Sequence, residues 1–172
     1  KDIQAGPGSS VSSDLMNVNG TLFFTANTTT EGNELWKSDG TTAGTLLVQD
    51  INPGSASSSP TRITAVNADV YFNATQGGTQ YLMKTTGGGT GVTTLNNTVV
   101  SGGTFVSFFG FANKLFFMYD GYKPGIPSTA TGREPWVSDG TNAGTMLVKD
   151  INTVIRANNA NPASYASGGN NV

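Results

Sequence analysis

A chain of 172 residues with no cysteine and no histidine excludes disulfides, thiolate and imidazole catalysis and zinc-finger sites at the outset. A net charge of −2 and a pI near 4.8 argue against nucleic acid or anionic membrane as partners, because both need basic patches. Only 12% of residues are charged and no apolar run is long enough to span a membrane, so membrane insertion is not expected.

Gly, Ser, Thr and Asn are abundant, which is the profile of many short strands joined by turns. After a loop over residues 4–13, strands are expected at 15–18 and 21–26, around the type I′ hairpin signal Asn19-Gly20. Strands at 34–38 and 45–50 flank the turn residues Asp39-Gly40. A Gly/Ser/Pro loop at 52–60 follows, then strands at 63–66, 69–74, 81–85 and 92–99, with Gly87-Gly88-Gly89 as a loose turn. That glycine run lacks the Lys and the helix of a phosphate-binding loop. Strands at 106–111 and 114–119 precede an insertion at 120–133, and strands at 134–138 and 145–150 close the pattern. Residues 152–172 lose it and are expected to form a tail or arm.

These elements repeat. Residues 34–48, ELWKSDGTTAGTLLV, return 100 residues later as EPWVSDGTNAGTMLV at 134–148. A worn copy, residues 80–95, aligns with 33–48 without a gap, placing Leu82 on Leu35, Lys84 on Lys37 and Gly91 on Gly44. Lys1-Asp2-Ile3, Gln49-Asp50-Ile51 and Lys149-Asp150-Ile151 open the units, and paired apolar residues at 22–24, 70–72 and 115–117 mark their middles. A period of roughly 50 residues with four strands per unit suits propellers and arrays. The expected fold is all-β and propeller-like, with units of about 1–50, 51–100 and 101–150 in one repeat domain over 1–151. The run from Glu34 through Trp36, Asp39-Gly40-Thr41 and Gly44-Thr45 resembles the bacterial ELWxxDGT repeat, and the third unit matches it with Pro135 in place of Leu. That resemblance implies a large exported or cell-surface protein of propeller-like shape, without a defined activity. Lys1, just inside a repeat, suggests a processed or excerpted piece of a longer precursor.

Each motif residue has a structural and a functional reading. Trp36 and Trp136 could stack on a sugar, but large flat side chains in phase with the fold are expected to fill the space between neighbouring units. Asp39 and Asp139 could bind a cation such as calcium. Ahead of Gly40 and Gly140 they are expected instead to cap turn amides, with Gly44 and Gly144 completing the loop. Glu34 and Glu134 could form a glycosidase pair, but equivalent positions in separate units favour a solvated or turn-bonded role. Asp2, Asp50 and Asp150 are expected to cap the loops that follow them. Tyr119, Asp120, Tyr122, Lys123 and Arg133, at the insertion, are the candidates for ligand recognition. The sequons at Asn19, Asn27, Asn73 and Asn96 are explained by composition.

Three units do not close a propeller of four to eight blades, so open sheet edges remain. The expected function is therefore that of an exported, non-enzymatic surface or matrix protein without cofactor. It acts by self-association or adhesion, as a homo-oligomer, a filament or with further repeats of a parent chain. A lectin-like module that binds glycans and a propeller glycosidase or lyase are the alternatives.

Overall fold

The computed structural model describes residues 1–10, 14–95, 103–121, 132–149 and 151. These residues form three four-stranded antiparallel sheets, each a simple meander, and no helix. The first sheet contains β1 (Met16–Val18), β2 (Thr21–Thr28), β3 (Gly32–Ser38) and β4 (Leu46–Gln49). The second contains β5 (Thr61–Val66), β6 (Asp69–Gln76), β7 (Thr79–Thr86) and β8 (Thr93–Leu95). The third contains β9 (Phe105–Phe111), β10 (Lys114–Tyr119), β11 (Glu134–Ser138) and β12 (Met146–Leu147).

Two-residue turns set the register of the inner hairpins. Asn19 and Gly20 have φ of 51° and 84°, as a type I′ turn requires. Ala112 and Asn113 do the same at 49° and 61° without a glycine. Gly77 and Gly78, at 57° and 81°, close the β6–β7 hairpin, a Gly-Gly signal that the expected strand ends at 74 and 81 had left inside a loop. Strands β6 and β7 are longer than expected because this turn lets the ladder run to Gln76 and Thr79. The fourth strands are shorter than expected. Residues 96–99 of the expected 92–99 strand lie outside the described residues, as do Asp150 and the proposed tail.

Alternation along each strand gives every sheet two apolar faces. The front face of the first sheet, with Phe23, Leu35 and Val48, packs on Val70, Phe72, Ala74 and Met83 of the second. The front face of the second, with Tyr71, Leu82 and Leu95, packs on Leu115, Phe117 and Trp136 of the third. The core is thus two layers between three sheets rather than one central cluster.

Candidate functional site

The chemistry-bearing residues of the repeat lie mainly at the junctions between sheets. Glu34, on β3, is fully buried. Its Oε2 accepts from the Ile51 amide at 3.2 Å and its Oε1 from the Ser58 amide at 2.9 Å, while the Ser58 hydroxyl donates to Oε2. Of the expected solvated or turn-bonded role, the structure shows the bonded one, in a buried rather than solvated setting. Glu34 closes the loop that connects the first sheet to the second by accepting from its donors. The loop is also tied to both sheets by Ser59 N to the Asn33 carbonyl at 3.0 Å and Thr75 N to the Ser58 carbonyl at 2.8 Å. Glu134 repeats part of this arrangement, accepting from the Ile151 amide at 2.9 Å. Asp50 caps the same connection by accepting from Gly54 N at 3.0 Å.

Burial pushes the Glu34 carboxyl above its ordinary value, against the opposing effect of the Ser58 hydroxyl and amide. Asp39 and Asp139 are held below theirs by the hydroxyl and then the amide of Thr41 and Thr141. The signs differ. A raised carboxyl makes the folded state bind more protons, so Glu34 lowers stability as pH rises from about 4.5 towards its raised value. The two aspartates contribute stability that is lost as pH falls through their lowered values. Glu34→Gln is expected to remove the downward slope above pH 4.5 while leaving the acid-side loss intact, measured as urea midpoints across pH 2–8.

The two Asp-Gly-Thr loops have the same internal bonding. Asp39 Oδ1 accepts from Thr41 N at 2.9 Å and Thr41 Oγ1 at 2.7 Å, and Gly44 N donates to Thr41 Oγ1 at 2.9 Å. In the third sheet the corresponding distances are 2.9, 2.7 and 2.9 Å. Ser38 and Ser138 lock each loop to Thr45 and Thr145 at 2.8 and 2.7 Å. Gly40 and Gly140 turn through φ of 91° and 88°. A Cβ on Gly44 would lie 1.9 Å from Asp39 Oδ1, and one on Gly144 2.0 Å from Asp139 Oδ1. Gly44→Ala is therefore expected to open the loop and lower Tm by roughly 3–8 °C. Gly88→Ala, where an added Cβ meets nothing within 4 Å, is expected to leave Tm unchanged in the same calorimetric scan.

Equivalent lysines lie at these loops. Lys37 Nζ donates to the Gly88 and Gly89 carbonyls at 2.9 and 2.8 Å, so the worn second loop is held by a cation from the first sheet. Lys84, in the same position of the second sheet, pairs with Asp69 at 2.9 Å beside the Gly140 turn. Their role was missed in the sequence, although Lys84 aligning on Lys37 was the signal for it.

The insertion candidates separate. Tyr119 is a buried core residue, not a loop side chain. It lies edge-on to Trp136 with centroids 5.8 Å apart, and burial, with the Asp120 charge adding to it, pushes its phenol up to about 12. Added Cβ atoms at Gly103 or Gly121 would come within 2.3 and 2.0 Å of its hydroxyl, so both glycines make room for the ring. Asp120 accepts from Thr104 N at 2.5 Å and stands 4.0 Å from the Arg133 guanidinium. Tyr122 and Lys123 lie outside the described residues. Among the described residues no group of three or more acidic side chains is gathered to hold a metal.

The tryptophans also separate. Trp136 fills the space between the second and third sheets, stacked on Phe117 at 6.2 Å. Trp36 lies on the back face of the first sheet, with Phe24 and Ala26, where Ile3 and Leu47 pack against it. The expectation that both lie between neighbouring units is corrected for Trp36, because no sheet precedes it among the described residues. Lys1 Nζ sits 5.6 Å over its ring and donates to the Thr45 carbonyl at 3.0 Å.

Searched against family models, characterised proteins and solved structures, the chain matches none of them. Function must then be sought in the surfaces the fold exposes. The most distinctive is the front face of the third sheet. Phe109 and Phe111, 66% and 64% exposed, lie there beside Phe116.

Proposed function

We propose that this protein is an exported, non-enzymatic cell-surface or extracellular-matrix component that works by self-assembly and adhesion, with each sheet acting as one blade of a propeller-like array. The observation that carries this reading is the apolar front face of the third sheet, with exposed Phe109 and Phe111 on β9 beside Phe116 of β10, and exposed Met146 and Val148 at the opposite edge. Contiguous exposed apolar surface of this kind marks an interaction site in soluble proteins. The resemblance to the ELWxxDGT repeat supports an exported, surface-borne setting. The use of the motif acids supports binding over chemistry: Glu34, Asp39 and Asp139 are engaged by the fold's own amides and hydroxyls.

The test is capture of soluble chain by immobilised chain. Capture is expected for the native protein and is expected to be lost with Phe109→Ser/Phe111→Ser, whose circular dichroism should stay native because both side chains are solvent-facing. Native protein that fails to capture itself would contradict the reading.

A second, lectin-like reading is favoured by one feature. A groove of about 310 Å³ beside Phe24 is rimmed by the hydroxyls of Ser38, Thr41 and Thr42. Glycan-array binding that disappears with Trp36→Ala, with the fold kept, would put that reading first.

A further inference from the structure

The repeat lets each sheet face be compared with its own copies. Both internal junctions join the front face of one sheet to the back face of the next. Among the described residues two faces have no sheet against them: the back of the first sheet, over which Lys1 and Ile3 lie, and the front of the third. Their residues are the in-phase equivalents of buried ones. Val48 is 3% exposed and Val148 52%; Ile51 is 1% exposed and Ile151 70%. On the back faces, Leu22 is 36% exposed where Val70 and Leu115 are 0%. The front-face side chains of the third sheet are thus exposed where their copies are covered, while at the back of the first sheet Phe24, Ala26 and Trp36 are buried under Ile3 and Leu47 and exposure is greatest towards Leu22.

The lysine position gives a second comparison. At the first junction Lys37 bonds to the next loop, and at the second Lys84, paired with Asp69 of its own sheet, lies beside the Gly140 turn. The third sheet has Val137 at that position, and the lysine its front face does carry, Lys114 on β10, acts on Asp139 of its own sheet. The back face of the first sheet needs none, because Lys1 already places its ammonium on the Thr45 carbonyl. There, too, the buried Trp36 Nε1 has no acceptor among the described residues.

We infer that the back face of the first sheet is the docking site for the front face of the third sheet of a second copy, head to tail, in the geometry the chain uses within itself. This rests on the self-assembly reading and specifies its interface. Two copies so joined supply six sheets, within the range of closed propellers, and a rotation that does not close extends the same contact into a polymer.

The chain has no cysteine, so every thiol cross-link reports an engineered position. Lys37 touches Gly88 and Gly89, which align on Thr41 and Thr42. Single variants Val137→Cys and Thr42→Cys, mixed and treated with a short bis-maleimide, are expected to give cross-linked pairs, and each alone to give none. Adding Leu22→Arg to the Thr42→Cys protein is expected to abolish the cross-link with circular dichroism unchanged. Pairs formed by either variant alone would overturn the head-to-tail arrangement while leaving self-assembly standing. Polymers without any cross-link would overturn it in favour of contact through strand edges. A chain that stays monomeric, its faces open to repeats of another polypeptide, would overturn both.

Discussion

Glu34→Ala is expected to cost about 3–5 kcal/mol of folding stability, read as a fall in the urea midpoint. The side chain is fully buried and accepts from two backbone amides and one hydroxyl, all belonging to the loop between the first and second sheets. Truncation leaves those donors facing a cavity. An unsatisfied buried donor costs roughly 1–3 kcal/mol, and the three share one site, so their costs do not simply add. Part of the loss is offset because removing the carboxylate also removes its desolvation, the same effect that raises its pKa. Glu34→Gln keeps one acceptor oxygen but turns an amide NH₂ towards the loop, so an intermediate loss is expected. A midpoint for Glu34→Ala within about 1 kcal/mol of the native protein would contradict the latch.

The two tryptophans are expected to respond unequally although their local sequences are nearly the same. Trp136→Ala should cost about 3–5 kcal/mol, the usual range for a buried Trp with fixed surroundings. Its ring is enclosed by the second and third sheets and contacts Phe117 and Tyr119. Trp36→Ala should cost about half as much in the isolated chain, because among the described residues no sheet covers its outer side and the N-terminal residues that lie there, Lys1 and Ile3, can collapse into the space. Denaturant melts at low protein concentration measure both. Equal losses would mean that a neighbour covers Trp36 as fully as Trp136.

That asymmetry shows where sequence reasoning ends. Repeat phase is a local property, so the three meanders, the hairpin at Asn19-Gly20 and the bonding of the Asp-Gly-Thr loops were legible from residues within a few positions of one another. Glu34 was not, because its acceptor role depends on Ser58, 24 residues away in a loop with no signature beyond its composition. Tyr119 was misplaced for a related reason. It sits next to the polar insertion in sequence but ends β10, and strand alternation turns its ring into the core with Trp136. Trp36 and Trp136 could not be told apart, since what distinguishes them is the sheet each faces. Gly77-Gly78 was legible and overlooked: two adjacent glycines between apolar runs are a hairpin signal.

The exposed faces follow from counting as much as from composition. Three sheets packed front to back have two internal junctions and two faces without a sheet against them among the described residues, and the apolar side chains needed inside remain apolar on the front of the third. Heterologous faces of this kind either close a ring or continue into a polymer.

The measurement that tests the account most directly is the mass of the native particle by light scattering over a range of concentrations. Association beyond a single chain, as a two-chain species or a longer series, is the predicted result. A single-chain mass at every concentration would contradict it.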